Sequence, residues 1–231
     1  MAHSFPGFSA AGMEFLRELK ENNDREWFTP RKAIYERELR LPMIELVRAI
    51  HGEMLSFAPQ YVGEPAKCVF RVYRDTRFAK DKTPYRTHIA AVFFRNGLVK
   101  QGPGYYFVVS PEGVYVEGGI YDPEPNALLA VRQLIAGEFD EFRKTFEPAK
   151  IGKLVGEIHG ASITRPPKGF DPEHPAIEHL KRKSHHFIAR LEPELATTPK
   201  LLPELVKRFR AMTPLVEFLE RPFVPDAKRR L

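Results

Sequence analysis

The chain has 231 residues, 43% of them hydrophobic and 29% charged, with a formal charge of +6. That length supports a substantial core, and 18 Phe beside an ordinary charge content exclude a largely disordered chain. The single cysteine, Cys68, excludes an intramolecular disulfide and a cysteine-based zinc site.

In chain order, Ser9 is placed to cap a first helix whose Phe15, Leu16 and Leu19 share one face. Asn22-Asn23-Asp24 reads as the polar punctuation that ends it, and Trp27-Phe28 as a core anchor. A longer helix is expected from about Pro30 to Leu55. Its buried stripe would be Ile34, Leu39, Leu46, Val47 and Ile50, with a kink at Pro42. The period then changes. Cys68 to Arg74, Thr87 to Arg95, Tyr105 to Ser110 and Val114 to Gly118 read as four strands of an antiparallel meander.

Ser110-Pro111-Glu112-Gly113 is a tight hairpin turn, and Asn96-Gly97 is a second turn signal. Asp122-Pro123 reads as a helix cap followed by proline at the first helical position, with the helix continuing to Gly137. A short helix through Phe139 and Phe142 follows. The proline-rich stretch Arg165 to Pro175 reads as a loop, and Leu201 to Leu219 as a closing helix with Pro214 as its candidate break. The expectation is therefore α+β: an antiparallel sheet of about four or more strands, packed with helices from the N- and C-terminal thirds. A single domain over 1–221 is expected, helical over 8–56, sheet over 67–120 and helical over 122–220, with 222–231 a loose tail.

The first twenty residues, interrupted by Glu14 and Arg17, do not read as a signal peptide. The longest wholly apolar run, Ile89 to Phe94, is too short to span a bilayer. A soluble, cytoplasmic protein is expected.

The charge is not spread evenly. Lys67 to His88 holds seven bases against Asp75 and Asp81, so this window carries +5 of the chain's +6. Alternation in an extended strand would put Arg71 and Tyr73 on one face and Arg74 on the other. Arg77, Lys80 and Lys82 fall in the following loop, and Tyr85, Arg86 and His88 at the next strand's entrance. Guanidinium forks suit phosphate and carboxylate oxygens, and aromatic neighbours can stack on a base or sugar. The competing reading is structural: Asp75 would pair with Arg77 or Arg74, and Asp81 with Lys80 or Lys82, locking the loop at little energetic gain.

The run RVYRDTRFAKDKTPYRTHIA carries a resemblance, together with GFSAAGMEFLRELKENNDREWF before it and GYYFVVSPEGVYVEGGIYDPEP and PPKGFDPEHPAIEHLKRKS after it. It is similar to the bacterial and fungal conserved-hypothetical family known as domain of unknown function 2461. The resemblance covers nearly the whole chain and implies one intact domain, but no established activity. The family pattern implies a phenylalanine after Lys183-Ser184, where this chain has His185-His186.

Other chemistry finds little support. His174 and His179 are separated by five positions, about 140° on a helix, so they would not face one ion. His185 and His186 are adjacent and would diverge; all four histidines read as surface or supporting side chains, and no metal site is expected. No phosphate-binding glycine loop is present, and Gly118-Gly119 reads as a bulge or sharp turn. Cys68 reads as a packing residue.

The expected function is binding of an anionic ligand, phosphate-bearing or nucleotide-like, by Arg71, Arg74, Arg77, Lys80, Lys82 and Arg86, with Tyr73 and Tyr85 stacking or donating hydroxyls. If a reaction accompanies binding, Asp75 and His88 are the candidates to move a proton, with Glu117 third. The alternatives are a nucleic-acid-binding module, with Tyr73, Phe78 and Tyr85 interleaved among the bases, or a module docking an acidic partner, in both cases without catalysis. No cofactor is indicated.

Overall fold

The computed structural model describes residues 4–95 and 102–224. Ser9 caps the first helix, α1 (Ala10–Glu21): its hydroxyl accepts the Gly12 N–H at 3.0 Å, and Met13, Phe15, Leu16 and Leu19 are buried. Asp24 does more than punctuate. Its carboxylate accepts the Trp27 N–H at 2.8 Å and opens α2 (Arg25–Tyr35), so the second helix starts before Pro30 and contains it.

A wide π-type turn, Glu36–Arg40, joins α2 to α3 (Leu41–Met54). The Leu41 N–H reaches back five residues to the Glu36 carbonyl, immediately before Pro42, which has no N–H to give. The extra residue rotates the downstream face by about 100°. Leu39, Leu46, Val47 and Ile50 are buried as expected, but Ile34 lies on the other side of this step and is 37% exposed.

Five strands form one sheet: β1 (Ile89–Phe94), β2 (Gly104–Ser110), β3 (Gly113–Ile120), β4 (Ile158–His159) and β5 (His185–Leu191). Every pairing is antiparallel, in the order β1-β2-β3-β5-β4. The β2–β3 hairpin turns at Pro111-Glu112, where the Ser110 hydroxyl donates to the Gly113 carbonyl at 3.0 Å and accepts the Glu112 N–H at 3.3 Å. The Asn96-Gly97 signal lies outside the described residues.

Two strand expectations need correction. Cys68 to Arg74 is not a strand: a one-turn helix, α4 (Pro65–Cys68), leads into extended backbone with isolated bridges at Val69–Ala91 and Tyr73–Tyr85. The Arg74 N–H reaches the Pro84 carbonyl at 2.9 Å, but Pro84 has no N–H to return, so no ladder forms. The second correction lies in the segment expected to be helical throughout, which contains β4 and β5.

After β3 the next helix begins later than expected. α5 (Pro125–Gly137) uses Pro125 at its first position, while Asp122 adopts φ +44° and donates its N–H to Ser184 Oγ at 3.0 Å. That bond ties the end of β3 to the start of β5. α6 (Phe139–Lys144), α7 (Ala149–Val155) and α8 (Ile177–Leu180) follow. The long α9 (Leu201–Glu220) runs unbroken through Pro214. Together these elements make the expected α+β fold.

One sheet face forms the core. Phe107, Val109, Val114 and Val116 are fully buried there, and α9 seats against Gly118, where an added Cβ would lie 2.8 Å from Met212 Cβ. Polar anchors hold α9 in place. Tyr105 Oη donates to Thr213 Oγ1 at 2.9 Å, while Glu220 accepts from Tyr61 Oη at 2.8 Å and from Arg95 at 2.9 Å. The opposite face carries Val92, Tyr106, Glu117 and Ile188 in one cross-strand row and Phe94, Gly104, Gly119 and His186 in the next. No helix among the described residues is long and apolar enough to cross a membrane.

Candidate functional site

The basic window folds into a loop that is largely stapled to itself. Arg74 donates to Asp81 at 2.6 Å and to the Thr83 carbonyl at 3.1 Å, and also meets the Thr83 hydroxyl. Asp81 in turn accepts the Thr83 N–H at 2.9 Å. That backbone bond, then the Arg74 and Thr83 side chains, pulls its carboxyl down to about 2. Asp75 accepts from Arg77 at 2.7 Å and is likewise held at about 2, chiefly by that side-chain bond. Lys82 Nζ donates to the carbonyls of Thr76 and Arg77 at 2.9 and 3.4 Å. Lys67 pairs with Glu64, an acid outside the window, at 2.8 Å.

These bonds decide which of the expected residues meet. Arg74, Tyr85, Arg86 and His88 line one cleft of about 420 Å³ beside the loop, with Lys20 and Asn23 completing it from the α1–α2 corner. Asn23 explains the placement: its side chain brackets the Tyr85 backbone, accepting the N–H and donating to the carbonyl, each at 3.0 Å. Arg71, Tyr73, Asp75, Arg77, Lys80 and Lys82 do not line this cleft. Of the two proton-transfer candidates, His88 lines this cleft and Asp75 does not.

His88 is half-buried, and burial first, then the Arg86 and Arg74 guanidiniums, lowers its affinity for a proton. Arg86 has no acidic partner among the described residues; its Nε is buried without a hydrogen bond, and its guanidinium lies 5.3 Å from the Phe70 ring centroid. Tyr85 is 3% exposed and stacks on Phe28 at 4.1 Å, so its ring is core packing rather than a free platform. Tyr73 is 46% exposed and Phe78 95% exposed. Lys20 is held by Glu112 at 2.7 Å, which raises its pKa. Sequence reasoning missed Lys20 and Asn23, because nothing local in α1 reports that its end meets the strand entrance at Tyr85.

Glu117 and Tyr115 share one sheet face, with Val114 and Val116 on the other, and Glu117 lines a larger groove of about 580 Å³ on the open face. Burial raises its carboxyl pKa. The Gly118-Gly119 pair is more than a turn. Gly119 has φ +136°, and an added Cβ would lie 2.2 Å from the His185 carbonyl oxygen, so glycine is required where β3 crosses β5.

The histidines also depart from the surface reading. His185 is fully buried, with Nε2 2.9 Å from the His179 carbonyl, and burial pulls its pKa down to about 3. His186 is 5% exposed and lowered to about 4, by burial first and then by His159 and Arg182. They diverge as expected, His185 into the core and His186 into the groove. Cys68 sits on α4 rather than a strand, its thiol 3.9 Å from His51 Nε2 and pushed up to about 11 by burial. Among the described residues no group of three or more His, Cys, Asp or Glu is placed to hold a metal.

Comparison with curated proteins and with solved structures gives no match. A family model does match, over residues 11–218, which takes in both clefts, the sheet and nearly all of α9. The chain therefore belongs to the conserved hypothetical protein family DUF2461.

Proposed function

We propose that the protein binds a small phosphate-bearing anion in the cleft beside the basic loop. The observation that carries this reading is the convergence of Arg74, Arg86 and His88 on one cleft, with Arg86 lacking an acidic partner among the described residues. Arg74 is fixed in place by Asp81 and the Thr83 carbonyl, so ordering it on binding costs little further entropy. Thr83 and Thr87 also line the cleft, as does Asp81, the carboxylate that Arg74 already faces. The size suits a nucleotide-scale ligand.

Isothermal titration of inorganic phosphate, AMP and glucose 6-phosphate against the full chain tests it. Saturable binding is expected for at least one of them, weakened about tenfold or more by Arg86→Gln, the loss expected of one charge-assisted contact. His88 titrates higher in the bound state, because an anion offsets the two guanidiniums. Absence of binding by all three, or an unchanged affinity in Arg86→Gln, overturns the reading.

A second reading rests on Phe78, whose ring is 95% exposed with the Arg77 guanidinium 5.9 Å from its centroid. That pairing suits a base stacked from single-stranded nucleic acid. A labelled oligonucleotide titrated at two salt concentrations separates the cases: nucleic acid gives a steep loss of affinity with salt, and a small anion a shallow one.

A further inference from the structure

The groove on the open sheet face has a chemistry opposite to that of the basic cleft. Its shape comes from register. Gly104 and Gly119 are directly paired, so the row between Phe94 and His186 is empty of side chains and leaves a hollow. The neighbouring row supplies Tyr106 and Glu117, paired across β2 and β3. Phe70 closes one wall, its ring 5.8 Å from Tyr106, and Tyr121 stands over His186 at 5.3 Å.

Glu117 is the unusual member. It is half-buried and makes no ion pair or hydrogen bond among the described residues, although a carboxylate withdrawn from water without a partner is costly. No Lys or Arg among the described residues lines the groove, whereas Asp122 adds a second carboxylate at the rim. Arg86 stacks on Phe70 but opens on the basic cleft. His186, with its pKa near 4, is uncharged at neutral pH and brings no positive charge. Aromatic faces around such a carboxylate suit one class of ligand, an organic cation, through cation–π contacts and a charge-assisted hydrogen bond.

We propose that this groove is a second ligand site, which takes an organic ammonium ion: a protonated amine on a small apolar body, its nitrogen at Glu117 and its body over the Gly104–Gly119 hollow between the aromatic walls. Binding supplies a counter-ion to Glu117, which has none among the described residues, and removes apolar ring surface from water. Because Arg74 lines only the basic cleft, the two sites fail independently.

The test uses 2-phenylethylammonium chloride as probe, 2-phenylethanol as its neutral twin and 3-phenylpropionate as its charge-reversed counterpart. Each is titrated calorimetrically into the full chain at neutral pH. The ammonium is expected to bind saturably, with the alcohol about tenfold or more weaker and the carboxylate weaker still. Glu117→Gln, close to isosteric, is expected to cost the ammonium about tenfold or more while leaving the alcohol unchanged. Arg74→Ala is expected to leave the ammonium's affinity as in wild type.

Amide chemical-shift mapping on the wild-type chain gives a readout that needs no variant, with the largest shifts expected at Gly104, Glu117, Gly119 and Tyr121. The proposal is overturned if the alcohol binds as tightly as the ammonium, if a folded Glu117→Gln keeps wild-type affinity, if the shifts cluster elsewhere, or if the ammonium does not bind.

Discussion

The two clefts make opposite use of charge. In the basic loop both acids and several bases are answered by neighbours: Asp75 by Arg77, Asp81 by Arg74, Lys82 by two carbonyls, and Lys67 by Glu64 just outside the window. In the groove Glu117 has no partner among the described residues, on a face that is mostly aromatic and apolar. The region loudest in composition thus answers much of its own charge, and the region with no compositional signature holds a carboxylate without a partner among the described residues. Charge density reports where ions are, not which of them are free. Phe70 stands between the two, a wall of the groove and the ring on which Arg86 lies.

The largest expected effect removes the frame that both regions share. Glu220 is 5% exposed and receives both Arg95, just beyond β1, and the Tyr61 hydroxyl. Glu220→Ala removes the buried acceptor that the Arg95 guanidinium and the Tyr61 hydroxyl share, at a cost of about 3–5 kcal/mol. Chemical denaturation should register that loss, and both ligand sites should weaken together. A loss under about 1 kcal/mol would mean that the Arg95–Glu220 pair is not holding α9 to the sheet.

Acid should pull the two regions apart. His185 and His186 titrate near 3 and 4 in the folded chain but near the ordinary histidine value when unfolded. Between about pH 6.5 and pH 4 the unfolded state therefore binds more protons than the folded state, and stability falls as pH is lowered through that window. Asp75 and Asp81 behave differently: their folded values near 2 lie below the unfolded value, so their contribution persists to about pH 4 and fades only as pH approaches 2. The β5 side should loosen first. His185→Phe should flatten the slope of melting temperature against pH between 6.5 and 4, and an unchanged slope would assign it to other groups.

The smallest effect tests whether the loop's pairing holds its cations back from ligands. Asp81→Asn keeps the shape but removes the charge that Arg74 faces at 2.6 Å. The pair is exposed on the Asp81 side, so the melting temperature should barely move. Affinity for inorganic phosphate should rise severalfold, because Arg74 is no longer neutralised, while affinity for phenylethylammonium stays constant. A fall in phosphate affinity would show instead that Asp81 is needed to position Arg74.

What was legible in the sequence follows the range of the interactions. Ser9 capping α1 and the turn at Pro111-Glu112 are local, and each is realised. Cys68 to Arg74 looked like a strand because aromatic and branched residues favour extended backbone. Its ladder fails at Pro84, ten residues beyond Arg74, where only pairing partners reveal the missing donor. β5 was invisible for a related reason. Its HHFIARL run follows a proline-rich loop, and only pairing with β3, a distant segment, identifies it as a strand. The groove depends on the same non-local register, since Gly104, Gly119 and His186 become neighbours only when β2, β3 and β5 are aligned.

The extended segment after α4 has one more consequence, for what the sheet can do to other molecules. β1 is an outer strand, and an uncovered outer strand is a template for adding a foreign chain. Here the Phe70 N–H is already bonded to the Ala90 carbonyl at 2.9 Å and Val69 bridges to Ala91, so part of that row is occupied. The occupying segment leads straight into the basic loop, whose charged residues are unfavourable neighbours for a strand added at that edge. The positions of β1 that this segment occupies are closed to edge-to-edge pairing by another chain.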